Sequence, residues 1–211
     1  ATIIFYRAHH LAADTAPVDA LLQALAANGL NARAFMLTSL KDPSALAALQ
    51  AEVSANAPDV VLDMTAFSTG GEAHPLAYLN VPVLQCALAN SSQEQWQQSS
   101  RGLTTTDTAM HVVLPEADGR IFTRALSFKA ESETHAQLEF TRRIHQPETS
   151  RVAYVAELAA AWVRLAKTLP ANRNIALVLS DYPDRTGRSA YAVGLDAPQS
   201  AIEIMNLLKT Q

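Results

Sequence analysis

The chain has 211 residues, 49% of them apolar and 17% charged, enough for one large domain, or one domain and part of another, built on a real core. Its net charge is −4, and no basic run is longer than Arg142-Arg143. That excludes the concentrated positive patch of a nucleic-acid binder or a basic membrane-surface helix, and no stretch reaches the ~20 apolar residues of a membrane span. The one cysteine, Cys86, lies in the apolar run 81–88 and reads as a buried strand thiol. A single thiol makes no internal disulfide, which fits a reducing cytoplasm.

Residues 2–7 open the chain as an apolar strand. A helix follows, with Asp14 or Thr15 as cap, Pro17 in its first turn, Val18, Leu21, Leu22 and Leu25 on one face, and Asn28-Gly29 as its end. Residues 33–38 form a second strand. Asp42-Pro43 opens a helix carrying Leu46, Leu49 and Val53. Residues 59–64 and 81–87 are the third and fourth strands, with Pro82 at a strand entry or edge. Strands alternating with helices at this spacing imply right-handed crossovers and a parallel sheet. The expected fold is α/β, a parallel flavodoxin-like or Rossmann-like three-layer unit over residues 1–128.

Beyond the fourth strand, Ser91-Ser92-Gln93-Glu94 has the form of a capping box and Gly102 can end the helix it starts. Residues 107–114 fit two readings, since the β-branched valines favour a strand while Met110, Val113 and Leu114 have the helical spacing that favours a short helix, and Asp118-Gly119 reads as a turn. Residues 120–128 alternate, with Phe122, Leu126 and Phe128 on one face, and are expected as a strand pairing antiparallel at the sheet edge. Residues 129–150 are expected as a polar connecting segment of loop and short helix. From 151 to 169 a long helix is predicted, with Val155, Leu158, Trp162, Leu165 and Leu169 as its apolar face. A strand at 175–180 and a helix at 198–209 then read as the first βα unit of a second α/β domain, within 151–211. Both ends of the chain read as cuts in a longer protein.

The motif search is mostly negative. There is no phosphate-binding G-x-x-x-x-G-K-[ST] loop, no G-x-G-x-x-G, no G-x-S-x-G and no H-E-x-x-H, and the six histidines show no familiar metal-site spacing. In a parallel sheet, ligands sit beyond the carboxyl ends of the strands. Four segments qualify: 7–14, with Arg7 and His9; 65–74, where Ser68, Thr69 and paired glycines make an anion-friendly loop; 89–95; and 181–198, with Arg185 and Arg188. Glu116 and Asp118 are a carboxylate pair able to do acid–base work, or simply the solvated acids of a turn. Each of these loops also has an ordinary reading, as a helix-capping, mobile or connecting segment.

Five segments taken in order give a further indication: I-I-F-Y-R-A-H-H-L from residue 3, D-V-V-L-D-M-T-A-F-S from 59, V-P-V-L-Q-C-A-L-A-N-S-S from 81, V-V-L-P-E-A-D-G-R-I from 112 and S-D-Y-P-D-R-T-G-R-S-A-Y-A-V-G-L-D-A-P-Q-S from 180. The ordered set resembles the large-subunit family of cobaltochelatase and magnesium chelatase, near the amino-terminal end of those long subunits. A-P-V-D-A-L in the first helix and D-Y-P with G-L-D-A-P in the last loop tilt the resemblance to the cobalt branch; the magnesium branch tends to carry a doubled proline followed by Lys-Gly there.

The resemblance implies a segment of the tetrapyrrole-binding subunit of a ligase that inserts cobalt into hydrogenobyrinate a,c-diamide in cobalamin biosynthesis. Its partners would be the corrin substrate, the rest of the large subunit, and separate AAA+ ATPase and adaptor subunits. Those partners would carry the ATP and Mg²⁺, in keeping with the missing phosphate loop, while this segment would hold no cofactor of its own and act only within its parent subunit. Arg7 and His9 match the family's Arg-x-His, Glu116, Asp118 and Gly119 its Pro-Glu-x-Asp-Gly, and Gly187, Gly194 and Asp196 its final loop. None of these matches carries an assigned catalytic role. His9 is a candidate proton carrier or metal ligand at the ring. Arg7, Arg185 and Arg188 are candidates to pair with corrin carboxylates. Three other readings stand beside this one: a segment of the magnesium chelatase subunit, a non-catalytic module that docks the AAA+ subunits, and a stand-alone flavodoxin-like ligand-binding domain.

Overall fold

In strand β1 (Thr2–Tyr6), Ile3 and Phe5 turn to one face of the sheet and Ile4 to the other, and all three are buried. A strand covered on both faces belongs to a parallel sheet with helices above and below. The computed structural model describes residues 1–71, 73–179, 190 and 194–209. β1 pairs in parallel with β2 (Arg33–Leu37) and with β3 (Val61–Asp63). β3 pairs in parallel with β4 (Val83–Leu88), and β4 with β5 (Ile121–His135). β6 (Phe140–Pro147) runs antiparallel to β5. Among the described residues the sheet has six strands in the order β2-β1-β3-β4-β5-β6. The α/β expectation holds, and the first five strands have the flavodoxin-like order.

A five-residue helix, α1 (Arg7–Leu11), leaves β1 directly. It precedes α2 (Ala16–Ala27), whose Val18, Leu21 and Leu25 pack on Ile3, Phe5 and Leu62. The opposite face is covered by α3 (Pro43–Ala55), whose Leu49 and Val53 meet Ile4, Val61 and Val83. Asp42 caps α3 by accepting from the Ser44 and Ala45 amides. Downstream come α4 (Gln93–Gln98) and α5 (Thr105–Thr108), which continues through a π turn, Ala109–Val113, into α6 (Leu114–Glu116). α7 (Thr149–Lys167) lays Val152, Val155, Ala156, Ala159 and Val163 on the α2 side of the sheet. Residues Ala1–Val163 make one compact unit, and Arg164–Gln211 a second that contains α8 (Ala197–Lys209). Among the described residues no helix is long and apolar enough to cross a membrane.

Several expectations need correction. The strand expected at 120–128 at the sheet edge is interior: it pairs in parallel with β4 and extends to His135. The expected connecting segment at 129–150 is the far half of that strand plus β6, joined by a 3-10 turn at Ala136–Leu138 and Glu139 in the left-handed region. Polar side chains line much of the hairpin arm beyond the sheet, so it shows no apolar period, and cross-strand pairs such as Thr134 Oγ1 to Thr141 Oγ1 at 3.1 Å replace apolar packing. The α4 cap is Ser92 with Gln95 rather than Ser91 with Glu94. Ser91 is buried, with its carbonyl accepting from the Lys129 amide. The core stripe of α7 is its Val/Ala ridge, while Leu165 and Leu169 are 48% and 68% exposed; small residues let the helix approach the sheet closely. Residues 175–179 form no strand, and Ser180 lies outside the described residues.

Candidate functional site

The strand order reverses between β1 and β3, because the chain leaves β1 for β2 on one side and later returns to place β3 on the other. In open α/β sheets this reversal opens a crevice beyond the carboxyl ends of the strands, where ligands bind. Here the crevice is a cavity of about 170 Å³ lined by Tyr6, His9, Phe67, Met110, His111 and His145, among others. Pockets that enclose a drug-sized ligand run to roughly 300–1,000 Å³, so this cavity is too small to enclose one by itself.

Three histidines from distant parts of the chain meet in this crevice. His9 comes from α1, His111 from the π turn, and His145 from β6. The imidazoles of His9 and His145 stand edge to face with centroids 5.2 Å apart. Asp14 lies behind them: its Oδ1 accepts from the His145 backbone N–H at 2.8 Å, and its Oδ2 is 2.7 Å from His145 Nδ1 and 3.8 Å from His9 Nδ1. Lys129 Nζ reaches the same oxygen at 3.4 Å. Asp14, expected as a helix cap, is thus turned inward, and Thr15 stands at the N-cap of α2 with its hydroxyl donating to Asp19. Arg142 of β6 donates to the carbonyls of Ala12 and Ala13 and clamps the turn that carries Asp14.

Burial pushes the His145 imidazole down to about 4 and lowers His9 and His111 as well. Burial works against the charge of Asp14, but the backbone N–H and ring of His145, with Lys129, hold its carboxyl below the ordinary value. The crevice therefore presents neutral imidazoles beside an ionised carboxylate at neutral pH. Stability follows from this with a definite sign. Above the ordinary histidine value of 6.5 neither state protonates His145. Between 6.5 and about 4 the unfolded chain takes up a proton that the folded chain refuses, so stability falls as pH drops. Asp14 adds little above about pH 5, where its carboxylate is ionised in both states. Urea unfolding is expected to show a loss of about 2 kcal/mol between about pH 7 and about pH 5; equal stability at the two values would contradict it.

Under the loop after β3 lies a second polar cluster, whose charged groups are buried. Arg120 Nη1 is 3.1 Å from Asp63 Oδ2 and Arg120 Nη2 is 2.9 Å from Asp118 Oδ2, with the Arg120 and Asp63 side chains at 0% exposure. Arg120 also donates to the Thr65 and Phe67 carbonyls and to Gln85 Oε1. Asp63 meets His74 Nε2 at 3.0 Å. Asp118 accepts from Ser68 Oγ at 2.7 Å and from the Thr69 amide at 2.8 Å. Burial opposes the charge on both carboxylates, yet His74 and Arg120 around Asp63, and Ser68, Thr69 and Arg120 around Asp118, keep them ionised below the ordinary range.

The network also fixes Phe67. Its φ is +66° and it is 47% exposed. A bulky aromatic residue in the left-handed region is rare and costly. Its carbonyl accepts from Arg120 and its N–H donates to the Met110 carbonyl at 2.8 Å. A strained backbone held from both sides presents an exposed ring at the mouth of the histidine crevice.

Comparison with known proteins places the chain in a family. The family model CobN/Magnesium Chelatase matches residues 1–211. The chain belongs to the CobN/magnesium chelatase family. Among curated members of the CobN/magnesium chelatase family, the aerobic cobaltochelatase subunit CobN of Sinorhizobium sp is 43% identical over 98% of this chain and 16% of its own length. A magnesium-chelatase subunit of Rhodobacter capsulatus is 25% identical over 98% of this chain and 19% of its own. The solved catalytic subunit of cobaltochelatase from Mycobacterium tuberculosis superposes with a TM-score of 0.80 at 31% identity, over 99% of this chain and 18% of that one. This chain therefore spans less than a fifth of the relatives it matches.

Of the residues singled out from sequence, His9 lies in the crevice. Arg7, beside it on the first turn of α1, is exposed. Ser68, Thr69 and Asp118 are brought together, but as partners within the Arg120 network. Cys86, as expected, is buried in β4, and burial pushes its thiol up to about 12. Glu116 is exposed while Asp118 is buried, which separates the expected carboxylate pair. Arg185, Arg188 and Gly187 lie outside the described residues. Sequence reasoning missed Asp14, His111, Arg120, Lys129 and His145 as site residues. One signal was available: His111 stands within the apolar run 110–114.

Proposed function

We propose that this chain is a segment of the tetrapyrrole-binding large subunit of an ATP-dependent cobaltochelatase, which inserts cobalt into hydrogenobyrinate a,c-diamide in the cytoplasm. The observation that carries the reading is the contrast in identity across the same span: 43% to a cobaltochelatase subunit against 25% to a magnesium-chelatase subunit. Insertion removes the ring N–H proton, of which a metal-free corrin carries one where a porphyrin carries two, and brings in a dication that must shed water. Neutral imidazoles can take up such a proton or replace such water, and the crevice presents three of them beside the exposed Phe67 ring. Phe67 supplies a flat apolar surface for one edge of a macrocycle, and the rest of the large subunit supplies the other walls. ATP and Mg²⁺ belong to separate AAA+ and adaptor subunits, which accords with the lack of a phosphate-binding loop in this sequence.

An absorbance titration of the full-length subunit tests this. Hydrogenobyrinate a,c-diamide is expected to bind at least tenfold more tightly than a metal-free porphyrin; one extra set of well-placed polar contacts supplies about that discrimination. Preference for the porphyrin would move the chain to the magnesium branch, and binding of neither would favour a docking role.

A further inference from the structure

Two imidazoles and an ammonium surround one carboxylate oxygen, Asp14 Oδ2. Around it stand His145 Nδ1 at 2.7 Å, Lys129 Nζ at 3.4 Å and His9 Nδ1 at 3.8 Å. Lys129 Nζ is also 3.1 Å from the same His145 Nδ1. That nitrogen cannot serve both neighbours. With a proton on Nδ1 it satisfies the carboxylate and meets the ammonium donor head-on. Without one, two lone pairs face each other across 2.7 Å, an arrangement held together only by a positive charge between or beside them. Lone pairs converging on a cation are the plan of a metal site, and here Lys129 serves as the cation.

A second observation points the same way. His111 is 5% exposed, lines the same crevice, and its Nδ1 is buried without a hydrogen-bond partner among the described residues. Buried polar side-chain atoms are paired as a rule. An unpaired imidazole nitrogen beside two others marks a place built for a ligand with open coordination positions.

We propose that His9, Asp14 and His145 bind one divalent transition-metal ion, which takes the place of the Lys129 ammonium. One ligand-capable atom from each of these three residues lies within 4.8 Å of the other two. Two imidazoles and one carboxylate select borderline cations such as Co²⁺ or Zn²⁺ over Mg²⁺ and Ca²⁺, which prefer all-oxygen sites. Lys129 keeps 20% of its side chain exposed, and its flexible stem lets the ammonium swing out to water. The Arg142 clamp on the Ala12 and Ala13 carbonyls holds the Asp14 turn ready. Resting on the chelatase reading, the ion is the cobalt substrate, partly stripped of water at the edge of the crevice before it reaches the ring.

The test is binding of Co²⁺ alone to the full-length subunit, followed by equilibrium dialysis and by the visible absorption of the bound ion, with Mg²⁺ as the control cation. Wild type is expected to hold one equivalent more than His9→Ala, or to bind it about 10–100-fold more tightly, the range seen when a metal site loses a supporting group. Lys129→Gln is expected to bind Co²⁺ about tenfold more tightly, because a competing cation has gone; a purely structural lysine would give no gain. His145→Leu is a further arm, and His9→Ala, at a half-buried position on a short helix, keeps the test decisive if that variant fails to fold. Unchanged Co²⁺ binding in both His9→Ala and Lys129→Gln overturns the site. If corrin is bound and metallated while these variants behave as wild type, the site is wrong and the chelatase reading stands. If the site binds Co²⁺ but the subunit ignores the corrin, the reading fails and the site stands.

Discussion

Arg120→Met is expected to destabilise the first unit by about 3–5 kcal/mol, the cost of leaving buried carboxylates without their cation. Asp63 is fully buried and Asp118 nearly so, and Arg120 is the group that bridges them. The methionine keeps the stem of the side chain but removes the donors to Thr65, Phe67, Gln85 and both aspartates. The effect should be concentrated in the loop after β3. Amide exchange across residues 65–70 is the direct readout, since the Thr69 N–H is held by Asp118 and Asp118 is held by Arg120. Global loss below about 1 kcal/mol, the worth of an exposed ion pair, with unchanged exchange in the loop, would mean that the network is not what fixes it.

Phe67→Gly should separate stability from binding. Glycine adopts positive φ without steric cost, so the variant relieves the strain at φ +66° and is expected to gain about 1 kcal/mol on that account. The same change removes the ring exposed at the crevice mouth. Corrin affinity of the full-length subunit is then expected to fall about 10–100-fold, the range for a buried aromatic anchor. A variant that is less stable and binds corrin normally would make Phe67 a structural residue and remove it from the site.

The parts of this fold that could be read in the sequence are those where periodicity reflects burial. The runs around Ile3–Ile4–Phe5, Val60–Val61–Leu62 and Leu84–Gln85–Cys86 are nearly continuous because both faces of each strand are covered. Helix starts were legible where proline follows a capping residue, as at Asp42-Pro43. The β5–β6 hairpin was hidden because its outer half is mostly polar, which leaves no regular apolar period to detect. The candidate site was legible only in its first piece. His9 stands at a strand end, a position that topology marks, but its neighbours Asp14 and His145 are separated by 131 residues and no local rule joins them. Arg120 follows an Asp-Gly turn and reads as a solvated charge. Only the pairing of β5 with β4, which carries it beneath the loop after β3, shows that it is buried.

On the proposed function, the histidine crevice at the β1–β3 reversal is a wall of the tetrapyrrole site. Hydroxyl-radical footprinting of the full-length subunit, with and without saturating hydrogenobyrinate a,c-diamide, separates that role from a purely structural one. Phe67 and Met110 line the crevice, while Met36, 50% exposed on β2, serves as an internal control. The expected result is slower oxidation of Phe67 and Met110 with corrin present and an unchanged rate at Met36. Equal rates at all three positions, with corrin demonstrably bound elsewhere in the subunit, would contradict the claim.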